Sequence, residues 1–425
     1  MNAVLAVILS LLVITVGISI VIPQATLVAG ALTLAAACVG LLVVRGIPLV
    51  ISLVLIGCGL AALTAGLLLG HAPSVQSALT VNQDLIGMLV AVSFIQLIAG
   101  TPETAKPRLA GAGAVWRTAG ALHLLGSVIN ISALNIVGDR LSRKGRLSRL
   151  NELILSRSFS AGAFWSPFWG ANAAAIAYAP GAKANVLMVC GLCLAVLALL
   201  YSITATIRRF RTEVADYHGY ALTGRTLQVP LALVAIVLVS HLIIPDTPIT
   251  RLVLVGSLTI TVLTLLVRDP RSAGRRLSHH IGTRLPAMAG ELTLFAAAGV
   301  LAIGLGSLFA ALDLDLPVTE FTVPVAWTAT VVMAALSLIG VHPVISIAAV
   351  AAVLVPLNPD PTLYAMSGMI AWGASAAAGP ISGLNIYLSG RYRTDNFALA
   401  RTNLLYFALV LALAWPTLLL CSAIA

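Results

Sequence analysis

Charge is scarce in this chain. Of its 425 residues only 9% are Asp, Glu, Lys or Arg, and just 14 are acidic. A soluble domain carries charge at about 25% of its positions, so little of this sequence can face water. Long polar stretches are also missing, which excludes a sizeable soluble domain. Cysteine is sparse: Cys38, Cys58, Cys190, Cys193 and Cys421 all sit in apolar runs. No disulfide framework is expected from that pattern. Cys190 and Cys193 form a C-x-x-C inside an expected spanning helix, where small apolar side chains simply pack. No H-E-x-x-H, P-loop, dinucleotide or zinc spacing occurs, so nothing supports ATP hydrolysis or cofactor chemistry. An intramembrane enzyme would need acid, base or metal ligands clustered at one depth, and none cluster. Charge rings and a carbonyl filter motif, the marks of a channel, are absent too.

What is present is hydrophobicity. Apolar residues make up 60% of the chain, in runs of membrane length. A helical crossing of the hydrocarbon core takes about 20 mostly apolar residues. The fold class is therefore an all-α polytopic membrane protein. The first run, Asn2 to Ile22, lacks a basic flank and is followed at once by another, so it reads as a retained helix. The net charge of +10 fits membrane topology better than nucleic acid. Basic residues such as Arg45, Lys106, Arg108, Arg140 to Arg149, Arg208 to Arg211, Arg268 to Arg276, Arg391 and Arg393 end the apolar runs. Neutral or acidic loops lie between them, at His71 to Asp84, Ala179 to Lys183 and Asp313 to Glu320. Basic loops face the cytoplasm, which places the N-terminus inside and the C-terminus outside a bacterial-type inner membrane.

Threading on that rule gives about eleven crossings. They run over 2–22, 25–44, 48–70, 85–100, 156–178, 185–204, 229–244, 252–267, 285–311, 363–390 and 397–420. The apolar stretch 110–137 has basic residues on both flanks, so a single crossing would put one flank on the wrong side. A re-entrant hairpin over 110–148, with its tip near Gly126 to Ser132, resolves the conflict. The stretch 323–357 reads as a second, outer hairpin bent at Gly340-Val341-His342-Pro343. Two crossings are expected to break: 156–180 around Ser166-Pro167 and Gly170, and 363–390 around Gly379-Pro380. The order of parts repeats. An extra helix (1–24) precedes a first repeat (25–206), a polar linker (207–228) and a second repeat (229–425). Each repeat holds an odd number of crossings, so the second copy is inverted. Local echoes are Gly-x5-Ser at both tips (Gly126 to Ser132, Gly340 to Ser346) and Ser-x4-Trp in both broken helices (Ser160 to Trp165, Ser367 to Trp372).

Inverted repeats with discontinuous helices are the build of secondary transporters. Eleven crossings with an inner and an outer hairpin resemble the ion transporter superfamily, which includes the divalent anion/sodium symporters and the large membrane subunits of TRAP transporters. At residue level the resemblance is concentrated in His342 to Gly390, a Pro-bounded hairpin arm followed by a helix broken at a Gly/Pro segment with a downstream Asn. The tips depart from the symporters' Ser-Asn-Thr: this chain has Asn130-Ile131-Ser132 and Gly340-Val341-His342-Pro343. The resemblance implies an elevator-type carrier, a homodimer, and ligands bound between hairpin tips and helix breaks. For a TRAP subunit it further implies a small membrane subunit and a periplasmic binding protein.

The candidate site follows from the same segments. Asn130, Ser132, Ser166, Asn172, His342, Ser346, Ser382, Asn385 and Arg157 are the expected contacts to a small organic anion, carboxylate-like. Ser127, Asn130, Gly170, Gly340, Ser375 and Gly379 are the expected contacts to a coupling cation, Na+ or a proton being the alternatives. Polar groups at membrane depth need a reason to be there. Self-capping turns and helix packing would satisfy several of them equally well. Arg157 can instead pair with Glu152, and the basic run Arg140 to Arg149 reads as a surface helix on anionic lipid. No catalytic residue, no resident metal and no nucleic-acid partner are expected.

Overall fold

The apolar runs fold as helices, and no strand occurs among the described residues. The computed structural model describes residues 1–98, 110–220, 224–312 and 318–425, without the side chains of 225 and 226. Lys106, Arg108, Asp313 and Asp315 lie outside the described residues. In chain order the helices are α1 (Asn2–Ile18), α2 (Ala25–Val43), α3 (Ile47–Leu68), α4 (Val75–Thr80), α5 (Gln83–Ser93), α6 (Ala112–Ile129) and α7 (Ile131–Leu141). Next come α8 (Arg149–Ser160), α9 (Gly170–Ala177), α10 (Ala184–Arg209), α11 (Arg211–Ala215), α12 (Gly224–Ile243), α13 (Ile249–Arg268) and α14 (Pro270–Ala287). The last are α15 (Ala289–Leu312), α16 (Val323–Leu338), α17 (Pro343–Leu354), α18 (Pro361–Ala378), α19 (Gly383–Tyr392) and α20 (Asn396–Ile424). Seven segments among the described residues are long and apolar enough to cross a membrane: α2, α3, Val75–Leu97, α10, α13, α15 and α20. The protein is a polytopic helical membrane protein.

Two compact units divide the chain, and each draws on both halves of the sequence. The first holds Met1–Ile98, Ala235–Phe321 and Ile347–Pro359; the second holds Ala99–Val234, Thr322–Ser346 and Asp360–Ala425. In the first unit, small residues set helix directions. Gly290 lies against Pro48, Gly59 against Val300 and Leu301, and Gly66 against Ser307, so α3 and α15 run parallel. Asp84 takes both its bonds from Arg251 Nε at 3.0 Å, and Gly87 meets Leu254 three residues on, so α5 and α13 also run parallel.

The second unit contains the helix interruptions. Gly111 N–H donates to Tyr217 O at 2.9 Å, the Tyr217 hydroxyl donates to Asn151 Oδ1 at 2.8 Å, and Asn151 Nδ2 donates to Leu141 O at 3.5 Å. The start of α6 and the end of α7 are thus joined through the Tyr217–Asn151 bond, as a hairpin returning to one face would be. Burial pushes the Tyr217 phenol up to about 12, so it remains a donor at neutral pH. Asn130 alone makes the turn, at φ 49° and ψ −134°. Asn tolerates positive φ better than most residues.

One expected boundary moves. The first broken helix starts at Arg149, not near Ser156, because Ser148 caps it by accepting from Asn151 N–H at 3.3 Å. The basic run is consequently not one surface helix. Arg140 lies in the last turn of α7, Arg143 and Arg146 pair across a turn made by Lys144 and Gly145 at positive φ, and Arg149 opens α8. Glu152 pairs with Arg149 at 2.5 Å rather than with Arg157.

The two broken helices cross antiparallel. Asn403 Nδ2 donates to both Ser156 Oγ and Ala377 O, Phe164 packs on Gly373, and Asn172 meets Met369. As one chain ascends from 156 to 172 the other descends from 377 to 369, the sense an inverted pair demands.

Gly59 makes a close backbone contact between α3 and α15 that can be tested. A Cβ there would lie 2.7 Å from Val300 O and 2.8 Å from Leu301 N, both backbone. Gly59→Leu should destabilise the first unit by about 1–3 kcal/mol, read as a lowered melting temperature in detergent micelles.

Candidate functional site

Helix registers bring four helix ends to one depth in the second unit. His123 Nδ1 meets Ser158 O at 3.1 Å, and Gly162 lies against Ser127, a constant separation of 35 residues. α6 and α8 are therefore parallel neighbours. The same separation joins Ile129, where α6 ends, to Phe164, where the 3-10 turn Ala161–Phe164 that extends α8 ends. On the other arm, Tyr387 donates to Asn135 Oδ1 and Arg391 holds Asp139 by two bonds, at 2.9 and 2.6 Å. Both pairs are 252 residues apart, and so are Ile131 and Gly383, the first residues of α7 and α19. By register, two carboxyl ends and two amino ends of helices fall level with the hairpin tip. Amino ends present free N–H groups and partial positive charge. No side chain caps α7, whereas Ser382 caps α19 by accepting from Asn385 N–H at 3.2 Å.

Most carbonyls released at these ends already have donors. The Ser166 hydroxyl donates to Ser127 O, and Trp169 Nε1 donates to Gly126 O at 2.9 Å. At the second break, Asn385 Nδ2 donates to Ala377 O at 3.2 Å and to Gly379 O at 2.8 Å. Asn403 Nδ2 reaches Ala377 O as well, at 2.9 Å. What remains is a surplus of acceptors. Asn172 Oδ1 and Asn385 Oδ1 are buried without a hydrogen-bond partner among the described residues, and both side chains are fully buried. Asn172 offers its amide only to Met369 Sδ, at 3.6 Å. An unmatched buried acceptor is costly unless a donor or cation meets it.

The other expected site residues divide into two sets. Asn130 and Ser132 sit at the tip, Ser166 and Gly170 at the first break, Ser382 and Gly379 at the second. The Ser127 and Ser375 hydroxyls instead bond their own helices, to Leu124 O and Ala371 O, and their carbonyls are taken too, Ser127 O by the Ser166 hydroxyl and Ser375 O by Gly379 N–H at 2.7 Å. Ser346 likewise bonds Pro343 O at 2.9 Å. Gly340 turns at φ 103° with Ile381 beside it, so the second tip touches the second break. His342 accepts from Val344 N–H at 3.3 Å and meets Trp372 edge-on at 5.2 Å.

Arg157 does not present an open fork to a ligand. It donates to Asn403 Oδ1 at 2.8 Å, Thr402 O at 3.3 Å and Thr206 Oγ1 at 3.5 Å, and lies over the Tyr406 ring. A charged donor held by three neutral acceptors is a strut between α8, α10 and α20. Asn403 was not anticipated from sequence. Its signal is an amide at the seventh residue of the expected crossing 397–420, at a depth where polar groups are rare. Tyr387 and Tyr392, which clamp α7 to α19, carried no such signal.

No family model matches this sequence, and no curated protein matches it. Among solved structures, the crystal structure of the YdaH transporter of Alcanivorax borkumensis is similar, with a TM-score of 0.56. The two are 17% identical; the match covers 88% of this chain and 98% of that one. At that identity the likeness is one of fold.

Asn403→Leu should cost about 2–3 kcal/mol, because Arg157 loses its charged hydrogen bond while staying buried. In a cycle with Arg157→Leu the two losses should fall short of additive by about 1 kcal/mol or more, measured by unfolding in micelles. The Arg391–Asp139 pair has side chains 44% and 46% exposed. Arg391→Gln should therefore change stability by less than about 1 kcal/mol. Tyr392→Phe removes a largely buried hydroxyl bonded to Asp139 Oδ1 and Leu134 O, and should cost about 1 kcal/mol or more.

Proposed function

We propose that the protein is a secondary active transporter of a small organic anion, coupled to Na+, with the second unit as the moving, elevator-type body. One observation carries the reading: two fully buried amide oxygens, Asn172 Oδ1 and Asn385 Oδ1, each in a broken helix and each without a donor among the described residues. An amide oxygen does not titrate near neutral pH, so it suits a hard cation better than a proton. Carbonyls at helix interruptions serve Na+ in the same way in broken-helix carriers. The uncapped start of α7 beside the start of α19 supplies converging N–H groups for an anion. The similar fold of YdaH, itself described as a transporter, supports the same class of function.

In this reading Asn130, Ser132, Ser166, Ser382 and His342 face the anion, and the Gly340 carbonyl joins the two amides at the cation, since Ser127 O and Gly379 O already accept from Ser166 and Asn385. Each ligand binds better with the other present, which is what coupling requires. Homodimerisation and an inner-membrane location belong to the proposal, with the basic loops inside.

A thermal-shift screen of carboxylates and sulfonates, with Na+ or choline as the cation, tests it. Na+ should raise the melting temperature where choline does not, and should potentiate one anion class, since ligands of the folded state stabilise it. Asn172→Leu and Asn385→Leu should remove the Na+ response. Proteoliposome uptake of the anion found should follow an imposed Na+ gradient. Uptake indifferent to an imposed Na+ gradient would overturn the reading.

A further inference from the structure

Helix α14 takes no part in that site, and its two faces differ in kind. One face is docked within the first unit. His280 lies 3.0 Å from Ser93 Oγ and 4.5 Å from the Phe94 ring, and Ala273, Leu285 and Pro286 are buried. Arg276 caps the 3-10 turn Phe94–Leu97 by donating to Leu97 O at 2.5 Å. The other face is open. Arg271, Arg275 and His279 are exposed and recur every fourth residue, so they form a single stripe. Beside it run Gly274, Ser278 and Gly282, and neither glycine has any atom within 4 Å of where a Cβ would stand. A cationic stripe with a clear lane next to it leaves room for a bulky anionic head group.

Depth is set by the neighbouring helix. Only Met288 separates α14 from α15, and Thr293 of α15 packs on Gly40 near the end of α2. α14 therefore lies at the membrane face where α2 ends and Arg45 wraps Leu42 O and Val44 O. The segment's one carboxylate, Asp269, is engaged as the helix cap, accepting from Ser272 N–H at 3.3 Å. No acid within the helix offsets the stripe.

We propose that the exposed face of α14 is a binding surface for anionic phospholipid, its guanidinium groups taking the phosphodiester of a phosphatidylglycerol-type head group. Guanidinium forks match phosphate oxygens in pairs, and basic residues at a membrane surface attract anionic lipid additively. The proposal is independent of the transport reading.

The full chain is reconstituted in phosphatidylcholine, or in an equal mixture of phosphatidylcholine and phosphatidylglycerol. Its melting temperature is measured, and retained lipid is counted by native mass spectrometry. Phosphatidylglycerol should raise the melting temperature and be retained selectively. Arg271→Gln and Arg275→Gln should each weaken retention about fivefold, with the melting temperature in pure phosphatidylcholine unchanged. Arg208→Gln/Arg209→Gln, at the exposed basic end of α10, should leave retention unaltered. Equal behaviour in both lipid compositions overturns the proposal, as does equal loss in the α10 control. Stabilisation by free glycerol phosphate in pure phosphatidylcholine, matching that of the lipid, overturns the assignment to a membrane lipid. Should the α14 variants melt early even in phosphatidylcholine, His279→Gln with a salt titration decides: retention must fall as salt rises, or the surface is not electrostatic.

Discussion

A helix interrupted inside a membrane releases carbonyl and amide groups that lipid cannot satisfy. The second unit is organised around that constraint. Ser166, Trp169, Asn385 and Asn403 each send a donor to a carbonyl freed at a break or tip. The side chains that hold the interruptions together are thus the same polar residues that make the sequence unusual at membrane depth. The Asn172 and Asn385 oxygens, one beyond each break, are among the buried polar atoms that this matching leaves over.

The same constraint explains how the parts are tied. Each arm of the first hairpin runs parallel to a half-helix, α6 with α8 and α7 with α19, and each pair begins or ends level. Residues from distant parts of the chain must share one depth for the freed groups to meet their donors. Arg157 and Asn403 extend this inward: the guanidinium fixes the Asn403 oxygen, and the Asn403 amide fixes Ala377 O and Ser156 Oγ. A buried cation is tolerated there because three acceptors and the Tyr406 ring surround it, and removing one leaves the charge short of a partner.

Much of this was legible in one dimension. The scarcity of charge, the length of the apolar runs and the flanking arginines imply helices, crossings and two bends. Glycine and proline mark the interruptions at Ser166-Pro167 and Gly379-Pro380, because one removes a donor and the other tolerates the turn. Asn130 stands at the hairpin tip that paired basic flanks demand. α8 starts seven residues before the expected crossing because its cap, Ser148, sits inside a run of arginines that suggests surface.

Local patterns determined which segments are helical, where they stop and that they lie in lipid, since hydrophobic length and backbone chemistry act over a few residues. Tertiary structure alone decided which polar groups are already matched and which are left over. Arg157 could have faced a ligand or a neighbour; Thr206, Thr402 and Asn403, brought in from 49 to 246 residues away, settled it. Hydrogen-bond satisfaction is a sum over neighbours in space, and periodicity along the chain does not contain it.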